Sequence, residues 1–286
     1  MKNYVFCLLI IGTVLTFPLP SAAEEIELLN RPVNSTGLTG LLFTTAPYTI
    51  APGVFEIGAA VLSENSSVPD YRLTEYPLTV TTGISQHSEL AVRFSYYSLS
   101  EGPTVTAPTE RQAGNIEFSY KWNFLYQDEG TPKPSISMIV TGVAPIENEG
   151  ESGTNINDVS HWGMRLGMSA GSEISWQEHI LAIYADFQLA GYDLTDKRLR
   201  DVYETLNAGL LFPISKYRNL QMFLEYTIVN GKDIITVSGG DYSAITYGLR
   251  MVNERFNITL GTQFLRKDDE GFNNSNRVIG LISAKF

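Results

Sequence analysis

The chain has one cysteine, Cys7, and only three histidines, His87, His161 and His179. That scarcity excludes a disulfide scaffold and leaves no Cys/His spacing for a metal. No Gly-x-Ser-x-Gly elbow, His-Glu-x-x-His pair or phosphate-binding loop is present, so neither a metal nor a cofactor is expected and no enzyme motif is found. Basic residues are also few: 20 Lys and Arg against 31 Asp and Glu give a net charge of −11 and a pI near 4.8. Nucleic acid, which is bound through basic surface, is therefore not an expected partner. Beyond the first two dozen residues no apolar run is long enough for a helix to cross a bilayer.

Residues 1–23 have the layout of a secretory signal peptide: Lys2, an apolar run from Val5 to Phe17, Pro18 and Pro20, then the small residues Ser21-Ala22-Ala23. Cys7 lies within this stretch. Cleavage before Glu24 would leave 286 − 23 = 263 residues. Residues 24–52 start acidic and polar and end with Gly and Pro punctuation around Ala51-Pro52-Gly53, as two short strands and a turn would. They are expected to form a periplasmic N-terminal segment ahead of a domain spanning residues 53–286.

That domain is written in alternation. In Asn115 to Tyr126, NIEFSYKWNFLY, the residues Ile116, Phe118, Tyr120, Trp122, Phe124 and Tyr126 alternate with Glu117, Ser119, Lys121 and Asn123. A strand sends successive side chains to opposite faces, so one face is large and apolar and the other polar. Lipid is the cover that suits such a face, and only a closed barrel lets strands satisfy their backbone groups there. A mean hydropathy of −0.04 agrees, since each lipid-facing residue is followed by a lumen-facing one.

The pattern predicts twelve strands: 54–63, 73–84, 89–99, 115–126, 135–145, 160–170, 179–190, 202–212, 220–229, 242–252, 256–265 and 276–286. The fold class is thus all-β, a transmembrane antiparallel up-and-down barrel. Connections at 85–88, 171–178, 213–219 and 253–255 are short, whereas most of those at 64–72, 100–114, 146–159, 191–201, 230–241 and 266–275 are longer and polar, the layout of periplasmic turns and outer loops. The acidic runs Glu147 to Glu151 and Asp268 to Glu270 lack a calcium-loop spacing and read as solvated loop.

Thr36-Gly37-Leu38, the Thr45-Ala46 pair and the Pro52-Gly53 turn before Phe55 resemble the opening of certain Gram-negative outer-membrane barrels. These are grouped with outer-membrane transporters of phenol-degradation operons (the MetA-pathway family) and with exopolysaccharide-associated barrels. The resemblance implies a bacterial outer-membrane location and a passive channel or transporter for a small, hydrophobic solute. The alternative it leaves open is a structural or exopolysaccharide-export barrel with a plugged lumen.

Phe55, Ile57, Val61, Leu78, Val80, Leu224 and Leu260 fall on the outward face, and Tyr126, Trp176, Phe212, Tyr217, Phe256 and Phe286 cluster near turns as an interfacial girdle would. The expected lumen-lining set is Glu56, Glu75, Arg93, Glu117, Lys121, Arg165, Asp186, Glu225 and Arg250. Such charges either pair and stiffen the barrel or form the walls of a narrow aqueous path. An outer-leaflet lipid hydrolase would need His161, the one histidine placed near the outer rim; a non-enzyme is the expectation. Expected partners are outer-membrane lipid and lipopolysaccharide, a small solute, and the barrel-insertion machinery, for which the terminal strand ending on Phe286 serves as the assembly signal.

Overall fold

The computed structural model describes residues 29, 31–67, 70–101, 110–127, 133–146, 162–176, 179–192, 202–214, 218–230, 241–267 and 275–286. The expected signal peptide and most of the outer loops lie outside the described residues. Twelve strands follow one another: β1 (Phe55–Ser67), β2 (Asp70–Ser85), β3 (Ser88–Glu101), β4 (Glu110–Leu125), β5 (Ser135–Pro145), β6 (Gly163–Trp176), β7 (His179–Tyr192), β8 (Val202–Pro213), β9 (Leu220–Asn230), β10 (Tyr242–Val252), β11 (Phe256–Lys267) and β12 (Ser275–Lys285). Each pairs antiparallel with its neighbours in sequence, and β1 pairs with β12, so the ring is a closed up-and-down barrel. Closure leaves no unpaired edge.

Several stretches expected as connections are strand, Glu110 to Gly114 at the start of β4 among them. β1 and β2 run on through the Glu64 to Arg72 region, and β6 continues to Trp176, past the Gly171 at which a turn was expected. Both carry turn-forming Gly, Ser, Asn or Asp, but ladder pairing on both sides outweighs that local preference. Bulges at Phe94/Tyr96 and Asn123/Leu125 adjust the register where β3–β4 and β4–β5 pair.

The alternation sorts the faces. On β9, Met222, Leu224 and Tyr226 are exposed, whereas Gln221, Phe223, Glu225 and Thr227 are buried. Around the ring Phe55, Ile57, Leu78, Phe118, Leu166, Met168, Leu249, Leu260 and Val278 point out and are exposed, a continuous apolar belt that water would not tolerate over this area. We expect Leu224→Arg, near mid-height of β9, to destabilise the membrane-inserted barrel by about 2–4 kcal/mol. Denaturant titration of the refolded protein in bilayers measures it; a change below about 0.5 kcal/mol would remove the lipid-facing assignment of β9.

The core is inside the ring, and it is not made of wall residues alone. The stretch 31–50, part of the 24–52 segment for which a periplasmic position was expected, is threaded into the lumen: Val33, Asn34, Leu38, Leu41, Leu42, Thr44, Thr45 and Ala46 are buried almost completely. It forms no strand, only isolated bridges Val33 to Thr39 and Gly40 to Thr45. Its compactness comes from turns. Asn34 Oδ1 accepts from Thr36 N (2.9 Å) and Thr36 Oγ1 (2.7 Å), and Gly37 follows at φ 87°. The expected turn at Ala51-Pro52-Gly53 is present, with Val54 N donating to Ala51 O (3.1 Å) and Gly53 at φ 77°, the glycine-requiring position after proline. The segment was misplaced because its polar residues look solvated in sequence, whereas here they bond to an equally polar inner wall. Leu41 and Leu42 meet Ala60, Leu62, Ala182, Tyr184, Leu211, Phe223, Ile279 and Leu281 in one apolar cluster, and Leu38 packs separately with Ala91 and Ile139. Each such buried Leu stabilises the packed segment by about 1.5–3 kcal/mol relative to exposure.

Candidate functional site

The wall charges meet the backbone of this plug. Glu225 on β9 places Oε1 against three successive amides, accepting from Leu42 N (3.3 Å), Phe43 N (3.0 Å) and Thr44 N (2.7 Å). Asp186 on β7 accepts from the next, Thr45 N (2.7 Å), and is held by Gln188 (3.0 Å) and Asn207 (3.1 Å). Arg250 on β10 takes the carbonyls of the same loop, donating to Gly40 O (3.0 Å) and Leu41 O (2.6 Å) while Nε donates to Thr259 (3.2 Å). The loop 40–45 has no sheet partner of its own, and these three side chains satisfy the groups a strand would have supplied.

A second grip is an ion pair with no solvent exposure. Lys121 Nζ on β4 lies 2.8 Å from Glu89 on β3, and both side chains are 0% exposed. Glu89 accepts from Thr39 N (2.9 Å) and Ile50 N (2.9 Å), and Lys121 donates to Ala46 O (3.0 Å) and to Thr39 Oγ1. Elsewhere Glu173 on β6 pairs with Arg31 of the plug at 2.6 Å and accepts from Tyr184 at 2.6 Å, and the Arg31 guanidinium lies 3.7 Å from the centre of the Tyr48 ring. Glu56 on β1 accepts from Val33 N (3.2 Å), Asn257 (3.2 Å) and Ser283.

Nearer the loop end the lumen is less filled. Arg93 bridges Glu75 and Glu117 (3.0 Å to the latter), Arg165 pairs with the other oxygen of Glu117, and Ser95 (2.7 Å) and Tyr97 (3.1 Å) donate to Glu75. Arg93 also reaches the top of the plug, donating to Ser35 O at 2.9 Å. Glu75, Arg93 and Arg165 keep 13–19% of their side chains exposed, so this ladder faces the open part of the lumen. The nine expected residues thus sit in two places: Glu56, Lys121, Asp186, Glu225 and Arg250 against the plug, and Glu75, Arg93, Glu117 and Arg165 at or above its upper surface.

Sequence reasoning missed Glu89, Glu173 and Arg31. Glu89 shares parity with Arg93 on β3, so the alternation contains it; Glu173 was hidden in an expected turn and Arg31 in an expected solvated lead. Missed too were small wall residues that admit the plug. A Cβ on Gly209 would meet Leu41 Cδ1 at 2.4 Å, and one on Gly261 would meet Leu42 Cδ2 at 3.0 Å.

Phe286 exchanges both backbone hydrogen bonds with Phe55 (2.8 and 3.1 Å) and is 75% exposed. His87, in the β2–β3 turn, is buried at 3% exposure with its ring 3.8 Å from that of Tyr126, and neither ring nitrogen has a hydrogen-bond partner among the described residues. Burial pushes its pKa below the usual histidine value. His161 and both acidic runs lie outside the described residues. Among the described residues no group of His, Cys, Asp and Glu is arranged to hold a metal ion.

No model of a protein family matches the chain, and no curated protein does either. Solved structures do share its fold. A crystal structure of an outer membrane channel from Pseudomonas putida F1 is 12% identical with a TM-score of 0.59, covering 84% of this chain and 97% of that one. LpxR from Salmonella typhimurium is 11% identical with a TM-score of 0.49, covering 79% and 99%. The KdgM porin in complex with disordered oligogalacturonate is 8% identical with a TM-score of 0.47, covering 81% and 99%. At such identities the first likeness speaks for the fold of outer-membrane barrels, and the other two are too loose to carry an argument.

Proposed function

We propose that this chain is a plug-gated conduit of the bacterial outer membrane, passing a small solute when residues 31–50 shift within the ring. The observation that carries the reading is the kind of hold on the plug. It is attached through side-chain to backbone hydrogen bonds, the buried Arg31–Glu173 ion pair, the wall pair Glu89–Lys121 that grips its backbone, and apolar contact, with no strand added to the sheet and no covalent link except the chain's own continuation into β1. It can move without breaking the barrel. A small, apolar solute fits both the resemblance to transporters of phenol-degradation operons and the apolar cluster that a displaced plug would uncover. In this reading export uses the 1–23 signal, lipopolysaccharide surrounds the loop end, and the strand ending on Phe286 is what the insertion machinery recognises. No catalytic step is assigned.

A static envelope barrel is the competing reading, favoured by the fully buried Glu89–Lys121 pair. A tether separates them. Val33 Cγ2 lies 3.2 Å from the position of a Cβ on Gly58, close to the spacing across a disulfide. The variant Val33→Cys with Gly58→Cys also carries Thr79→Ala, because Thr79 Oγ1 would meet the new Cβ at 2.5 Å. Potassium chloride conductance in planar bilayers is expected to be lost when the tether is oxidised and restored on reduction. Equal conductance in both states favours the static barrel and overturns the gate.

A further inference from the structure

At the turn end of the barrel, between the β8–β9 and β10–β11 connections, lies a groove of about 590 Å³ lined by Arg218, Asn219, Val252, Asn253, Glu254, Arg255 and Phe256. That volume is in the range of small-molecule sites. The groove is built rather than loose. Val252 N donates to Asn219 O (2.7 Å), joining the two turns, and Asn253 Oδ1 accepts from Arg255 N (2.9 Å) and Phe256 N (2.6 Å). Arg218 holds φ 59°, the left-handed region that non-glycine residues seldom adopt, and its carbonyl accepts from Gln221 Nε2 (3.1 Å). Arg218, Glu254 and Arg255 are all exposed.

We propose that this groove binds the headgroup of a membrane phospholipid carrying a phosphate and a primary ammonium, an ethanolamine phospholipid. Two guanidiniums and one carboxylate form the complementary set: Arg218 and Arg255 take the phosphate, and Glu254 takes the ammonium. A headgroup with phosphate alone would bring a second anion beside Glu254, and a quaternary choline has no N–H to donate to it. The acyl chains also have somewhere to lie. Phe256 (54% exposed) lines the groove, and Met251 (48%), next to Val252 in the chain, is part of the exposed apolar belt. An aromatic at that level marks the membrane interface.

The inference rests on the membrane reading above, and the test keeps the two apart. Native mass spectrometry of the detergent-solubilised full chain, with ethanolamine, glycerol and choline phospholipids added singly in mixed micelles, is expected to show about tenfold better retention of the ethanolamine lipid, the effect of one charge-assisted hydrogen bond. Glu254→Gln is expected to erase its preference over the glycerol lipid while phosphate retention persists. Arg218→Asn, a residue that accepts the left-handed backbone, combined with Arg255→Gln is expected to lower retention of all three about tenfold or more. The slower heat-dependent gel shift of the folded barrel should be the same in every variant. Equal retention of the three lipids by the wild type, or no effect of Glu254→Gln, overturns the headgroup assignment, and free phosphoethanolamine binding as tightly as the lipid overturns the membrane source. A chain recovered folded without detergent would instead overturn the membrane reading and this site with it.

Discussion

Glu225→Met combined with Arg250→Met is expected to raise the ionic conductance of the barrel at least tenfold over the wild type. The two side chains satisfy three amides and two carbonyls of the loop 40–45. A buried polar group left unpaired costs about 1–3 kcal/mol, and each 1.4 kcal/mol is a factor of ten in population. Five such groups cannot all stay in place, so the loop moves to water and the lumen opens. The strands themselves lose no ladder bond, and the barrel should still show its heat-dependent gel shift. Combining this variant with the oxidised tether separates a moving plug from a damaged wall: the tether should bring conductance back towards the wild-type level. Unchanged conductance in the double variant would mean that the plug does not set the permeability, and the conduit would fall with it.

Lys121→Met is expected to be the most destabilising single replacement in the plug contact, by about 3–5 kcal/mol, because it strands the Glu89 carboxylate in a site with no exposure. The two backbone amides of Thr39 and Ile50 would still bond to Glu89, but hydrogen bonds alone do not replace a removed counter-charge. The paired change Glu89→Gln with Lys121→Met removes both charges and keeps an acceptor for one of those two amides, which bond to different oxygens of Glu89, and it should recover part of the loss. Midpoints of denaturant-driven unfolding, followed by the gel shift, measure both. If the single and double variants are equally unstable, burial of charge is not the cause and the lost contact to Ala46 O is.

The alternation of Asn115 to Tyr126 determined β4, and with it the two chemistries of the wall, because period two is a local property that any strand obeys. The bounds of β5 and β10 and the outward set from Phe55 to Val278 were legible for the same reason. Even the inner charges were legible, since Arg or Lys at mid-depth in lipid is costly and the opposite face is the only refuge. What those charges touch was not. Glu225 binds amides 181 to 183 residues earlier in the chain, and Arg250 binds carbonyls more than 200 residues away. Neither periodicity nor composition carries that information, because the acceptors are backbone groups that every residue has. The placement of residues 31–50 was decided by the ring: twelve strands enclose more space than their inner side chains fill, and a polar, leucine-bearing segment with tight turns satisfies the wall from within. In isolation that segment has the composition of a solvated lead; inside the barrel its unpaired amides and carbonyls meet fixed carboxylates and a guanidinium, and the same residues become the core.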